Sequence, residues 1–196
     1  MRFEQAGKYI MHKLHDELPE GLPYHSVEHV QDVYAAAENL GTLENISGYE
    51  MKLLLTAAWY HDSGFIYGPD NHEETSCRLA LGALPKFGYA PGEVEKICGM
   101  IMATKIPQAP KNHLEEILAD ADLDYLGRDD FFPTANKLFI ELTLSGNLHS
   151  EQEWNQLQVR FLENHRYFTK TALRLRQAKK EAHLIQIKAK LTTTPT

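Results

Sequence analysis

The chain has 196 residues, with 20 basic and 27 acidic side chains and a formal net charge of −7. That length suits one substantial core and is short for two independent domains. The acidic balance argues against a nucleic-acid backbone or an anionic membrane as the main partner, while a small anionic substrate stays compatible if a bound cation makes one site positive.

The opening segment, MRFEQAGKYIMHKLHDELPE, carries charges throughout and lacks the apolar run of a signal peptide. No stretch elsewhere approaches the ~20 apolar residues that span a bilayer, so a soluble protein is expected. Cys77 and Cys98 lie in helix-like patterns without CxxC spacing, which suggests neither a disulfide framework nor a cysteine zinc site and fits a reducing cytoplasm. Of the ten histidines, His12, His15 and His183 are expected at the surface.

Apolar residues recur with a helical period, without alternating strands, internal repeats or low-complexity tracts, so the expected fold class is an all-α bundle in a single domain, 1–196. From Val27, residues Val30, Val33, Tyr34, Ala37 and Leu40 share one face, with Ser26 as N-cap and Gly41 as stop. Leu53, Leu54, Ala57, Ala58 and His61 make the next stripe, so His61 continues a buried face to the helix end, where Asp62-Ser63-Gly64 terminates it. A helix from about Asn71 runs through Ser76, Leu79, Ala80, Ala83 and Leu84, and another runs from Pro91 through Val94, Ile97, Cys98 and Ile101 to about Thr104.

Asn112 caps a helix whose inner face is Leu114, Ile117, Leu118, Ala121 and Tyr125, with Gly127 at its end. A helix around Phe131 to Leu144 stops at Gly146, and Ser150 to Glu153 has the capping-box pattern for one ending near His165. The last helix is expected from Tyr167 to about Leu191, its leucines and isoleucines (Leu173, Leu175, Leu184, Ile185, Ile187) in the core and Arg174, Arg176, Lys179 and Lys180 on a solvated face. A homo-oligomeric contact, or an arginine reaching a substrate phosphate, stays open there. The tail TTTPT is expected to fray.

Three places set a metal-binding side chain at the edge of an apolar face: His29, His61-Asp62, and the cluster Asp120, Asp122, Asp124. An unpaired buried carboxylate costs several kcal/mol, so each needs a partner, and one shared divalent cation would serve them all. Taken singly, each has an ordinary reading as a core or capping histidine or a helix-end acceptor. By helical angle Asp122 and Asp124 flank the apolar stripe and Asp120 is nearer the outer face, so periodicity excludes neither of the first two.

Together, YHSVEH, WYHDSGF and ILADADLDYLG resemble the HD superfamily of metal-dependent phosphohydrolases, named for an ordered His, an adjacent His-Asp and a later Asp. The resemblance covers Tyr24 to Gly127. It implies an HD-domain-like helical bundle in which a core at about 24–127 delivers His29, His61, Asp62 and Asp122 to one divalent metal ion, with C-terminal helices over 128–191 packed on it. The DAD-L-x-x-LG pattern favours Asp122, leaving Asp120 and Asp124 exposed or beside the ligands. Candidate ions are Mn, Fe, Co, Ni, Zn or Mg.

The implied activity is hydrolysis of a nucleotide or other small phosphate ester by attack of metal-activated water, with Asp62 also accepting a hydrogen bond from that water. His72 and Glu73 are candidates for moving protons and Lys105 for neutralising a phosphate, against plainer readings as an Asn71-x-x-Glu74 cap and a solvated helix-end lysine. His25 precedes the helix cap and serves either beside the metal and substrate or as a loop hydrogen-bonder. His113 and His165 are weaker candidates. Two-metal relatives carry two extra histidines before the final aspartate; His72 and His113 fall in that interval at a different spacing, so one metal is expected. The alternative is a noncatalytic helical module that binds a metal or nucleotide for regulation.

Overall fold

A computed structural model describes residues 1–193, and residues 194–196 of the expected frayed tail lie outside the described residues. The described chain is all α, with α1 over Phe3–Glu17, α2 over Val27–Leu43, α3 over Gly48–Tyr60, α4 over His72–Ala83 and α5 over Pro91–Ala103. α6 follows over His113–Asp122, α7 over Phe131–Leu144, α8 over Glu151–Asn164 and α9 over Lys170–Thr193, and short 3-10 turns occupy Ser63–Tyr67, Leu84–Phe87 and Asp124–Gly127. Among the described residues no helix is long and apolar enough to cross a membrane.

Local chemistry sets the boundaries. Ser26 Oγ accepts the His29 amide at 3.3 Å and starts α2; Asn112 and Ser150 cap α6 and α8 in the same way. The α8 start is half a capping box, because the Glu153 carboxylate accepts from the His149 amide rather than from Ser150. Gly41 does not stop α2, which runs on to Leu43; instead its missing side chain makes room for Met51, Ile46 and Leu54. Asn71 does not cap α4 with its side chain and sits in the left-handed region at φ 51°.

Helices α2, α3, α5 and α6 pack side by side, α3 against α2 and α5, and α6 against the same two, with α1 across α3. Their inward stripes, such as Val30, Val33 and Leu40 of α2 and Leu53, Leu54 and Ala57 of α3, join one buried cluster that extends from Ala6 to Ile187. The 63–67 turn lies against the start of α4. Gly64 permits that approach, since a methyl group there would collide with the His72 carbonyl.

The last helix departs from expectation in start and in facing. It begins at Lys170 because the amides of Phe168 and Thr169 are already held by Asp120, and Thr169 Oγ1 accepts the Ala172 amide as an N-cap. Leu173, Leu175 and Ile185 are exposed, while Ala172, Lys180, His183 and Ile187 point inward at helical spacing. Polar partners explain the inversion: Lys180 Nζ donates to the His165 carbonyl at 2.6 Å, and His183 Nδ1 to the Leu126 carbonyl at 3.0 Å. His183, expected at the surface, is therefore buried.

Candidate metal centre

Four side chains from three separate segments meet where α2, α3 and α6 converge. His29 comes from the first turn of α2, His61 and Asp62 from the end of α3, and Asp122 from the last residue of α6. His29 Nε2 lies 3.3 Å from both Asp62 Oδ2 and Asp122 Oδ1. His61 Nε2 lies 3.2 and 3.4 Å from the same two oxygens and 3.4 Å from His29 Nε2. His29, His61 and Asp62 are buried, and Asp122 keeps 14% of its side chain exposed.

Each group is shifted from its ordinary titration by the others. Burial alone would lower the two imidazoles, yet Asp122 and Asp62 raise His29 to about 9 and His61 well above its ordinary value. Burial would likewise raise the carboxyls, yet the imidazoles hold Asp62 well below the carboxylate range and Asp122 at about 2. A divalent cation among the four donors would take the place of the imidazole protons.

The donor set fits a first-row divalent ion. Donors at about 2.0–2.2 Å from one ion stand roughly 3–3.5 Å apart, the spread of the separations that involve the two imidazole nitrogens. His61 Nδ1 donates to the Ala58 carbonyl at 2.9 Å, which fixes the tautomer that leaves Nε2 as a lone-pair donor facing the cluster. Asp62 Oδ2 is buried and makes no hydrogen bond among the described residues.

The structure does not leave Asp120 or Asp124 exposed. Asp120 is completely buried and its carboxylate accepts from Phe168 N, Thr169 N and Thr169 Oγ1, each at 2.8 Å. Asp124 is clasped by Arg176, with Nε and Nη2 at 2.6 and 3.1 Å. Residues 165–176 fold over the outer side of α6 and supply these partners, so a helical wheel of α6 alone misplaces both aspartates. The same contact occupies Arg176.

Around the four donors, His72 Nε2 lies 3.5 Å from Asp62 Oδ1 and 3.4 Å from Glu73 Oε1, and its Nδ1 donates to the Pro69 carbonyl at 3.2 Å. Both residues, with His25, line a cavity of about 220 Å³ that opens beside Asp62 and Asp122. Lys105 does not line it: its ammonium is paired with Glu74 at 2.6 Å and faces a neighbouring groove. That pairing takes Glu74 out of any cap as well. His113 lies apart, half-exposed between Glu44 and Glu116, and His165 is packed beside Lys180, where burial first and the lysine second push its imidazole down to about 3.

Glu141 of α7 is a participant the sequence reading passed over. It is buried, accepts the Tyr24 and His25 amides at 2.9 and 3.0 Å, and pairs with His25 Nδ1. Burial opposes its ionisation, but His25 and the two amides keep its carboxyl below the usual value. The His25 ring is stacked on Phe65, with ring centroids 3.9 Å apart. The signal was a lone carboxylate on the apolar stripe Phe131, Ala135, Leu138, Leu142.

No family model matches the sequence, and no curated protein matches it. Three solved structures are similar. A predicted HD superfamily hydrolase from an uncultured Thermotogales bacterium aligns with a TM-score of 0.63 at 18% identity, over 94% of this chain and 91% of its own. A Lactobacillus plantarum protein aligns with a TM-score of 0.70 at 19% identity over 99% and 100%, and Bacillus subtilis YpgQ in complex with ADP at 0.68 and 20% over 100% and 98%. At these identities the likeness is one of fold, and the chain has the all-α fold of an HD superfamily hydrolase.

Proposed function

We propose that the protein is a metal-dependent phosphohydrolase in which His29, His61, Asp62 and Asp122 hold one divalent ion and the substrate is a nucleotide or other small phosphate ester. The observation that carries this reading is the convergence of two imidazole nitrogens, 3.4 Å apart, each lying 3.2–3.4 Å from an oxygen of Asp62 and an oxygen of Asp122. The shared fold supports the hydrolase class, and the ADP held by the B. subtilis neighbour favours a nucleotide among small phosphate esters.

When bound, a divalent ion supplies positive charge for a phosphoryl oxygen and lowers the pKa of water at the site toward ~7. Asp62 has a second task, because Oδ1 faces the cavity side, where it can accept a hydrogen bond from the attacking water. With Nδ1 committed to Pro69, His72 Nε2 is free to take the proton released in that attack, and Glu73 beside it stabilises the resulting charge. Lys105 is left out of this machinery, being neutralised by Glu74. The segment 24–127 thus supplies the donors, and the helices over 128–191 supply Glu141 and the far wall of the cavity.

The test is metal analysis of the purified protein, followed by a Mn-supplemented screen against nucleotides and a generic phosphate ester. Turnover is expected in the wild type and is lost, together with bound metal, in Asp62→Ala and Asp122→Ala. Bound metal without turnover across the panel would overturn the hydrolase reading in favour of a regulatory module.

A further inference from the structure

The two cysteines, 21 positions apart, meet across the contact between α4 and α5. Cys77 Sγ lies 3.5 Å from the Cys98 carbonyl oxygen, and Cys98 Sγ lies 3.7 Å from the Cys77 carbonyl oxygen. Each thiol thus donates a weak hydrogen bond to the backbone of the residue that carries the other. Both are free, but their surroundings differ. Cys77 is buried, whereas Cys98 keeps part of its surface on a groove of about 480 Å³ that Met102, Lys105, Pro107 and Lys111 also line. The Cys77 thiol beside it holds Cys98 below the ordinary thiol value, while Cys98 first and burial second push Cys77 above it.

We propose that Cys77 and Cys98 form a modification site, a dithiol that a hydroperoxide converts into an intramolecular disulfide stapling α4 to α5. Each sulfur already touches the other residue's backbone, so rotation about the two χ1 bonds, with no change of fold, brings the sulfurs to bonding distance. Cys98, open to the groove, reacts first: its thiolate attacks one peroxide oxygen, the O–O bond breaks, and the departing hydroxide takes up the proton the thiol gave. Cys77 then attacks the resulting sulfenic sulfur, the S–O bond breaks, and the second hydroxide leaves as water with the Cys77 proton. The sulfurs lose two electrons and two protons in all, and one hydrogen peroxide becomes two waters. Cys77 stands one turn after Glu73 on α4, and Thr104 follows the end of α5, so the staple ties together the helices that bring Glu73 and Thr104 to the cavity. None of this chemistry depends on the hydrolase reading.

The test uses the full chain, first reduced and then treated with hydrogen peroxide. Thiol titration should fall from two groups per chain to none, and non-reducing tryptic mapping should join fragments 53–78 and 97–105 within one monomer. Dithiothreitol should restore both thiols. The oxidised protein should melt about 5 °C or more above the reduced one, because the closed loop restricts the unfolded chain. In Cys77→Ser, which lacks the resolving thiol, dimedone should trap Cys98 as its sulfenic acid. In Cys98→Ser the buried Cys77 should react at least about tenfold more slowly than Cys98 does in the wild type.

Thiols that survive the peroxide, disulfide-linked dimers in place of the internal link, or thiol loss without joined fragments would each overturn the proposal. So would an oxidised form that melts no higher than the reduced one. These readouts need only the wild type, so they decide the matter even where a variant does not fold. Cys77 reacting as fast in Cys98→Ser as Cys98 does in the wild type would overturn the order of attack.

Discussion

Asp120 and Asp122 are two residues apart on α6, and the structure gives them opposite work, which makes Asp120→Ala the most discriminating single substitution. The Asp120 carboxylate accepts three hydrogen bonds of 2.8 Å from the segment that leads into α9. Its removal strands the amides of Phe168 and Thr169, each at about 1–3 kcal/mol, whereas the Thr169 hydroxyl can re-aim; the expected loss is about 2–6 kcal/mol. With a urea m-value of about 2 kcal/mol/M, the midpoint should fall by roughly 1–3 M.

Burial raises the Asp120 carboxyl to about 6 despite its three bonds. A folded-state value above the unfolded one contributes stability at low pH that is lost as pH rises through about 6, so the wild-type advantage should widen by about 1 kcal/mol between pH 7 and pH 5. Metal content at saturating Mn should stay at the wild-type level in Asp120→Ala and vanish in Asp122→Ala. The reasoning is refuted if Asp120→Ala loses the metal while keeping its midpoint, or if Asp122→Ala retains the metal.

Three further outcomes follow from the same geometry. Because His29 is raised to about 9, metal uptake at pH 7 should expel at least one proton, visible as a buffer-dependent calorimetric enthalpy, and affinity should climb about tenfold per pH unit toward 9; a buffer-independent enthalpy would contradict it. His165, depressed to about 3 by burial and then by Lys180, contributes stability that is complete above about 6.5 and is lost as pH falls. Relative to a His165→Phe variant, the wild type should therefore lose about 2 kcal/mol between pH 7 and pH 5, read from urea melts at the two pH values. Gly64→Ala should push the 63–67 turn away from α4, cutting turnover by about tenfold or more while bound metal is retained, since His72 and Glu73 shift and the four donors do not; unchanged turnover would show that the turn relaxes freely.

The helices that carry the donors were legible because the relevant forces are local. Ser26 ahead of the Val30, Val33, Leu40 stripe and Asn112 ahead of Ile117 and Leu118 announce their helices, and His61 lies inward for the same periodic reason as Leu54 and Ala58. What sequence could not reveal was where a later segment lands. Asp120 looked outward on its own helix and is enclosed by residues 48 and 49 positions further on; Asp124 is enclosed by Arg176. On α9 the polar groups Lys180 and His183 turn inward because backbone carbonyls await them, and the leucines beside them turn outward, which reverses a reading by hydropathy alone. Glu141 lay on an apolar stripe, and its partners, 116 and 117 residues earlier, gave no local sign.

The α8 part of the cavity wall, Trp154, Leu157 and Gln158, lies on a different stretch of chain from the four donors. Residues such as Trp154, Leu157 and Gln158 can therefore drift without disturbing His29, His61, Asp62 or Asp122. Two chains of this architecture could keep one chemistry and part company over what they act on, and a designer wishing to retarget the protein would begin on α8 and leave the first 127 residues alone.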